Sequence, residues 1–239
     1  RTSEYHRPRN LATTPRYSTK SKICRMGSDR IWYGAYGSNV LKERFLRYIE
    51  GGSYGPSGAQ HTGARDNQEP GPQSPIVHGP WSLSFGLSSE RWGGGVAFLD
   101  PHIDEGACLR CWDITAEQFA DVLAQENGLQ PGDVELDVSE VREVGEMQIG
   151  DSWYSRIVYL GDFHGRPLMT FTSPKSVEAR APGEPYLSVI LNGFLEAAPT
   201  QLSQHLDRLM RARGVDSAWT REALMGLANS EFQNQRRCE

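Results

Sequence analysis

Apolar and polar positions alternate in short runs along the chain, and stretches with helical spacing lie between these runs. Period-two runs predict strands, and apolar residues three and four apart predict helices. Strands are predicted before Gly37 and at 81–87, 94–99, 107–114, 134–144, 153–160 and 167–172, and helices near 40–50, at 116–126 and three times after residue 184. This order predicts an α+β fold with a small mixed β-barrel or strongly curved sheet as its core, peripheral helices and a helical C-terminal extension.

The first turn lies in "YGAYGSNV", where a predicted strand passes through Gly37, Ser38 and Asn39 into a helix. Such a turn aims backbone N–H groups outward, and the helix N-terminus adds partial positive charge. The turn is therefore a candidate anion-binding site. The alternative is that it only redirects the chain, with Asn39 or Ser38 as the helix N-cap. The helix that follows carries four apolar side chains on one face, namely Leu41, Phe45, Tyr48 and Ile49.

The segment "ITAEQFADVLAQENGL", residues 114–129, predicts a helix with defined ends. Thr115 and Gln118 form a capping box, so the helix is expected to begin at Ala116. Gly128 is a natural stop signal. The predicted buried stripe is Phe119, Val122 and Leu123, and the predicted solvent face is Glu117, Asp121 and Gln125.

Glu126 continues the apolar face of this helix, because it lies seven, four and three residues after the three buried positions. Partial burial and the negative end of the helix dipole both favour the neutral form of a carboxyl group there. Such a carboxyl group suits general acid and base catalysis. The alternative is a glutamate at the fraying end of a helix, which reaches water or pairs with an arginine.

Two glycine-rich stretches interrupt the pattern. Residues 51–75 carry no periodicity, and a loop of this length in a compact domain is a lid, a binding loop or disordered. Arg65 and Asp66 are its predicted substrate contacts. The stretch "RWGGGVAF", residues 91–98, lacks the Lys-Ser/Thr of a phosphate-binding loop. Its glycines are predicted to let a strand bend or a ligand approach closely.

The charge distribution separates the first 25 residues from the rest. They hold seven of the 25 basic and one of the 30 acidic side chains, which leaves a net charge of −11 on residues 26–239. We interpret residues 1–25 as a disordered basic leader or upstream extension, 26–198 as the main domain and 199–239 as helices that dock on it. The acidic balance does not favour nucleic acid as a partner, and no apolar stretch is long enough to cross a bilayer.

The cysteines do not predict a metal site. Cys108 and Cys111 form a CxxC pair in a predicted strand, where positions three apart face opposite sides. No second pair and no histidine cluster completes a zinc ligand set. The pattern is typical of reduced thiols in a cytoplasmic protein.

Four stretches, in order, resemble the γ-glutamyl cyclotransferase family, most closely a bacterial subgroup. "YGAYGSNV" is similar to the family's strand-to-helix signature, and "RWGGGVAFL" to its Trp-x-Gly-Gly segment. "CLRCWDITAEQFADVLAQENG" resembles the unit that ends in the catalytic glutamate, and "PGEPYLSVILNGF" resembles the late segment that leads into the following helix. Together these stretches span about residues 31–195.

The resemblance implies a reaction that needs no cofactor, metal or nucleotide. The α-amine of a small-molecule γ-glutamyl amide would attack its own γ-carbonyl and release 5-oxoproline and a free amine. Glu126 would be the catalytic acid and base. The residues that the resemblance assigns to substrate binding are Tyr36, Gly37, Ser38, Asn39, Gly94 and Tyr186.

Several positions depart from the family pattern. Ala124 stands where the family often has Asp, Asn127 comes before Gly128, and the late Ser becomes Gly183 or Glu184. The stretch "QPGDVELDV" has no counterpart of a tyrosine that often follows the catalytic helix. Two alternatives therefore stay open: a non-catalytic γ-glutamyl or anion-binding or partner module on the same fold, and a γ-glutamyl amide hydrolase or acyltransferase. The identity of the leaving amine and the oligomeric state also stay open.

Overall fold

The computed structural model describes residues 30–55 and 58–235, with side chains as far as residue 228. Its elements are, in chain order, β1 (Arg30–Ala35), α1 (Lys42–Glu50), β2 (Gly52–Ser53), β3 (Gln60–His61), β4 (Ile76–His78), β5 (Ser82–Ser89), β6 (Gly94–Asp100), β7 (Cys108–Thr115), α2 (Ala116–Glu126), α3 (Val138–Val144), β8 (Glu146–Gln148), β9 (Arg156–Phe163), β10 (Arg166–Thr172), α4 (Glu184–Ala197), α5 (Leu202–Leu209) and α6 (Arg221–Gln235). Short 3₁₀ turns at Ser38–Val40 and Pro199–Gln201 precede α1 and α5. Residues 1–25, which we interpreted as a leader, lie outside the described residues.

A six-stranded mixed sheet in the order β4-β7-β1-β10-β9-β8 forms the centre of the fold. β1 runs antiparallel to β7 and parallel to β10, so that Tyr33 lies beside both Trp112 and Met169. β5 and β6 form a separate hairpin. The predicted α+β fold is confirmed. Among the described strands, the pairing gives an open six-stranded sheet and two separate two-stranded pairs, β2–β3 and β5–β6, rather than a closed barrel.

The central strand β1 is buried along almost its whole length. Ile31, Trp32 and Tyr33 all have exposed fractions of 3% or less. A strand covered on both faces needs a continuous apolar run. The Tyr33 ring stacks on Phe171 at 5.2 Å between centroids and meets Phe119 of α2 edge-on at 5.6 Å. This aromatic packing fixes α2 against the sheet.

The β5–β6 hairpin is held against β10 by Thr172. The hydroxyl of Thr172 accepts a hydrogen bond from the N–H of Leu99 at 3.1 Å and donates to its carbonyl at 2.9 Å. At the start of β6, a Cβ atom on Gly94 would lie 2.5 Å from the carbonyl oxygen of Ala181. Glycine there permits a close approach between two backbones, and this contact positions the chain that enters α4.

The helix at 116–126 is confirmed with both of its predicted ends. Thr115 and Gln118 form the capping box, and Gly128 has a φ of 71°. The strand predicted at 134–144 is wrong, because residues 138–144 form α3. The Asp137 side chain accepts hydrogen bonds from the N–H groups of Ser139 and Glu140 at 2.9 and 3.2 Å. The N-cap formed by Asp137 stabilises a helix in this segment, although its apolar residues alternate as they would in a strand.

The C-terminal helices α5 and α6 pack on α4. Leu206, Leu209 and Leu224 are buried there, so the apolar side of these helices faces the rest of the protein. The proposed domain limits at 26 and 198 stay predictions. None of the helices in the described part of the chain combines the length and apolar character of a membrane span.

Cys108 and Cys111 are buried free thiols on β7. Burial raises the pKa of Cys108 to about 11 and that of Cys111 to about 12. Both side chains are therefore protonated near neutral pH and poorly nucleophilic. Among the described residues, no group of histidine, cysteine, aspartate or glutamate side chains has a metal-binding arrangement.

Candidate active site

The turn between β1 and α1 is a single 3₁₀ turn. The N–H of Val40 donates to the carbonyl of Gly37 at 3.0 Å, and the N–H of Leu41 donates to that of Ser38 at 3.2 Å. Leu41 is the N-cap of α1, and no side chain caps the helix. The alternative in which Ser38 or Asn39 serves as the N-cap is therefore wrong, and the Asn39 side chain is engaged elsewhere.

Asn39 connects this turn to the end of α2. Its Nδ2 donates to Oε1 of Glu126 at 2.9 Å and to the hydroxyl of Tyr33 at 3.2 Å. Its backbone carbonyl accepts from the indole N–H of Trp112 at 2.9 Å. The side-chain oxygen of Asn39 is buried and has no hydrogen-bond partner among the described residues.

Glu126 is half-buried and lies where a narrow inner pocket opens into an outer cleft. The inner pocket has a volume of about 30 Å³ and the outer cleft one of about 290 Å³. Tyr154 and Tyr186 also line both spaces. The other inner-pocket residues are Tyr33, Tyr36, Gly37, Ser38, Asn39 and Phe171.

The inner wall of the pocket depends on close contact between Gly37 and Tyr186. A Cβ atom on Gly37 would lie 2.7 Å from the hydroxyl oxygen of Tyr186. That hydroxyl accepts from the N–H of Ala97 at 3.2 Å, which ties α4 to β6. The hydroxyl of Tyr36 donates to the carbonyl of Phe171 at 2.6 Å, so Tyr36 presents its ring to the pocket.

The phenol groups near Glu126 stay protonated. Burial raises the pKa of Tyr33, Tyr48 and Tyr154 well above the usual value, and the charge of Glu126 raises all three further. The pKa of Tyr186 is raised to about 12, mainly by burial. Each of these hydroxyl groups therefore keeps its proton near neutral pH, and that of Tyr154 donates it to the backbone carbonyl of Ala97 at 3.1 Å.

Arg44 and Tyr48 of α1 form one side of the outer cleft. Nη2 of Arg44 donates to the hydroxyl of Tyr48 at 2.8 Å, and Tyr48 and Glu126 both line the cleft. Nη1 of Arg44 lies 3.1 Å from Nε2 of His61. Burial, then the charges of Arg44 and Arg91, lower the pKa of His61 to about 4. His61 is therefore neutral near pH 7, and its Nε2 accepts from Arg44.

The 51–75 segment docks on α2 through the two residues that we predicted to contact substrate. Arg65 donates from its backbone N–H to Oδ2 of Asp121 at 2.8 Å, and its guanidinium pairs with the same carboxylate. The backbone carbonyl of Asp66 accepts from Gln118 at 3.1 Å. Asp121 is therefore fully buried, which corrects its predicted place on the solvent face. Neither Arg65 nor Asp66 lines the inner pocket or the outer cleft.

The inner pocket brings together Glu126 and every residue that the resemblance assigned to substrate binding except Gly94. Gly94 lines neither cavity and lies instead behind the site, against residues 181–183. Sequence analysis did not propose Arg44, Arg91 or Tyr154. Tyr154 stacks on Phe98 at 5.2 Å between ring centroids and lines both cavities. Arg44 could have been proposed from the sequence, because it lies four residues before Tyr48 and so on the same face of the predicted helix.

Comparisons with known proteins give distant likenesses. No family model matches the chain. It is 34% identical over 190 residues to Histone deacetylase 5 of Arabidopsis thaliana, and the match covers 70% of this chain and 28% of that protein. The chain thus spans less than a third of the length of the curated relative that it matches. The predicted bacterial subgroup stays a prediction.

The chain is similar to several solved structures, of which three are described here. A gamma-glutamyl cyclotransferase has a TM-score of 0.46 and 16% identity, with 83% of this chain and 98% of that chain covered. An uncharacterised protein of Homo sapiens has a TM-score of 0.45 and 16% identity, with 84% and 99% covered. YkqA of Bacillus subtilis has a TM-score of 0.45 and 18% identity, with 77% and 55% covered. TM-scores below 0.5 do not establish a shared activity.

Proposed function

We propose that this chain is a γ-glutamyl cyclotransferase-like enzyme that releases 5-oxoproline and a free amine from a γ-glutamyl amide. One observation carries the proposal. Glu126 is a half-buried carboxylate, held by the amide of Asn39, at the junction of a narrow polar pocket and an open cleft. The motif resemblance in the sequence supports the same reaction.

The sizes of the two cavities suggest how a substrate would divide between them. A single water needs roughly 10–15 Å³, so an inner pocket of about 30 Å³ admits a group of only a few atoms. We assign it the charged head of the glutamyl group, next to the turn of Gly37 and Ser38, which lines this pocket. The α-ammonium would lie between Glu126 and the unpartnered side-chain oxygen of Asn39. The leaving amine would extend into the outer cleft.

One residue, Glu126, can carry out both proton transfers of the reaction. The Glu126 carboxylate takes a proton from the α-ammonium, and the free amine attacks the γ-carbonyl carbon to form the new C–N bond. The hydroxyl group of Tyr186, which accepts a hydrogen bond from the N–H of Ala97, would donate its own proton to the negative oxygen that develops. Glu126 then returns the proton to the leaving nitrogen as the original amide bond breaks. No water is consumed, and orientation of the two reacting ends supplies much of the rate enhancement.

The test is the release of 5-oxoproline from a panel of γ-glutamyl amides and dipeptides, measured by mass spectrometry with the full chain. We expect the wild type to form product and Glu126→Gln to lose at least 10²-fold in rate. Glu117→Gln is the matched control, because it makes the same change on the same helix outside both cavities. Unchanged turnover in Glu126→Gln would exclude the proposed mechanism.

Two further readouts separate the alternative functions. In H₂¹⁸O a hydrolase would release labelled glutamate, whereas cyclisation incorporates no solvent oxygen. An acyltransferase would give a new γ-glutamyl conjugate when a second amine is supplied. A non-catalytic module would show thermal stabilisation by γ-glutamyl compounds with no product of any kind.

A further inference from the structure

One aromatic ring of the outer cleft has no partner within the protein. Trp153 lies in the loop between β8 and β9, lines the cleft and has an exposed fraction of 43%. Of the large apolar side chains that are exposed in the described part of the chain, it alone lines the outer cleft or the inner pocket. Its ring stacks on no other ring, and its side chain makes no hydrogen bond, among the described residues.

The other aromatic rings of the cleft are already engaged. Each of them packs against another ring of the protein, in the pairs Tyr48–His61, Trp92–Tyr186 and Tyr154–Phe98. The ring centroids in these pairs are 4.2, 5.1 and 5.2 Å apart. The guanidinium of Arg91 also stacks over the Trp92 ring, at 4.9 Å from its centroid. Trp153 is therefore the aromatic surface of the cleft that is left for a ligand.

The loop that carries Trp153 is held at the end of α2 by Asn127, the residue after Glu126. Nδ2 of Asn127 donates to the backbone carbonyl of Tyr154 at 3.2 Å. Oδ1 of Asn127 accepts a hydrogen bond from the hydroxyl of Ser152. Both chain neighbours of Trp153 are thus fixed to the helix that ends in Glu126, although the Trp153 ring itself packs on nothing.

An exposed ring on an anchored loop favours the binding of another ring. An aromatic ligand that stacks on Trp153 removes apolar surface of both partners from water, and the quadrupoles of the two rings add a further attraction. Because the loop is fixed before the ligand arrives, little conformational freedom is lost on binding. An aliphatic group of the same size gains the burial but not the stacking.

We propose that Trp153 determines specificity in the outer cleft and that the amine released carries an aromatic ring, which stacks on Trp153. The inference rests on the proposed function, which assigns the leaving amine to this cleft. Asn127 is a positioning residue in this arrangement, because it acts through the loop and not on the ring. A leaving amine without a ring leaves the Trp153 surface exposed to water.

The decisive comparison uses γ-glutamylphenylalanine, γ-glutamylcyclohexylalanine and γ-glutamylalanine, which differ only in the side chain of the leaving amino acid. The measured quantity is kcat/KM for the release of 5-oxoproline. We expect the wild type to prefer the phenylalanine compound to the alanine compound by at least about tenfold, mainly through KM. We also expect a preference of about threefold over the cyclohexylalanine compound, because the saturated ring is apolar but cannot stack.

Trp153→Ala should remove most of both preferences, and Trp153→Phe should retain part of them. Ile103→Ala is the matched control, because Ile103 has an exposed fraction of 45% and lies outside both cavities. Its two kcat/KM ratios should equal those of the wild type. Asn127→Ala should also lower both ratios, whereas a merely structural role of Asn127 would slow all three substrates alike.

Three outcomes would overturn the assignment. Equal kcat/KM values for the three substrates in the wild type would show that the cleft recognises no ring. Equal values for the phenylalanine and cyclohexylalanine compounds, both above that for alanine, would show a general apolar site without stacking. Undiminished preferences in Trp153→Ala would place the ring of the substrate elsewhere in the cleft.

A binding measurement keeps this inference separate from the proposed reaction. Calorimetry with Glu126→Gln and with Glu126→Gln/Trp153→Ala compares the affinities of the phenylalanine and alanine compounds without turnover. If the wild type forms no 5-oxoproline but the phenylalanine compound binds more tightly in a Trp153-dependent way, the reaction is wrong and the aromatic subsite stands. If product forms while the affinities are equal, the subsite is wrong and the reaction stands. If neither compound binds, the subsite is likewise wrong.

Discussion

The side-chain amide of Asn39 donates to Oε1 of Glu126 at 2.9 Å, although the two residues are 87 positions apart in the sequence. Asn39 is itself anchored, because Tyr33 and Trp112 hold its side chain and its carbonyl. Glu126 is the last residue of α2, where a helix tends to fray. The orientation of its carboxylate therefore depends on the turn after β1.

The first prediction concerns that orientation. In Asn39→Ala, Glu126 loses its amide donor, and the proposed cyclisation should slow about tenfold or more in kcat with a smaller change in KM. The measurement is steady-state release of 5-oxoproline, with circular dichroism to confirm the fold. Gln148→Ala, which removes an exposed amide on β8, should leave kcat at the wild-type value. An unchanged kcat in Asn39→Ala would mean that Glu126 needs no such support.

The second prediction concerns the contact between Gly37 and Tyr186. Gly37→Ala places a Cβ atom 2.7 Å from the hydroxyl oxygen of Tyr186, and the next ring atom is 3.8 Å away. We expect a loss of about 1–3 kcal/mol in the free energy of unfolding, the usual range for overpacking. Urea denaturation measures this quantity.

A double-mutant cycle tests whether the hydroxyl group is responsible. In the Tyr186→Phe background the obstructing oxygen is absent, so Gly37→Ala should cost much less stability than in the wild type. Additive effects of the two substitutions would contradict the proposed clash. Activity should stay low in the double variant, since the pocket would still lack the Tyr186 hydroxyl.

Local signals in the sequence were sufficient to predict α2. The capping box of Thr115 and Gln118 and the stop at Gly128 are contacts between residues a few positions apart. The same reasoning placed Glu126 on a face that turns toward the interior. It failed for Asp121, because the partners of that carboxylate are Arg65 and the N–H of Gly132, which approach from other segments.

Residues brought to the site by tertiary packing were harder to predict. Tyr154 reaches the pocket because its ring stacks on Phe98 of the separate β5–β6 hairpin. Arg44 has the pattern of a polar position on an amphipathic helix, and its burial depends on the packing of His61 from β3 against it. No periodicity in the chain encodes these arrangements, since they depend on which elements meet.

The third prediction concerns the dependence of stability on pH. His205 of α5 is 3% exposed, stacks on Phe194 at 4.5 Å between ring centroids, and has no described hydrogen-bond partner on either ring nitrogen. Burial, then the charges of His78 and Arg208, lower its pKa from 6.5 to about 4. Between about pH 4 and pH 6.5, His205 therefore binds more protons in the unfolded chain than in the folded one. The contribution of neutral His205 is therefore fully present above pH 6.5 and is lost as the pH falls toward 4.

Urea unfolding at constant ionic strength across that window should show a falling midpoint for the wild type. His205→Leu keeps an apolar side chain of similar size and removes the titrating group, so its midpoint should fall less steeply. Part of the dependence of the midpoint on pH should remain in this variant. The pKa of His61 is also lowered to about 4, so neutral His61 likewise stabilises the folded state less as the pH falls. A slope identical to that of the wild type would mean that His205 is not held in its neutral form by the fold.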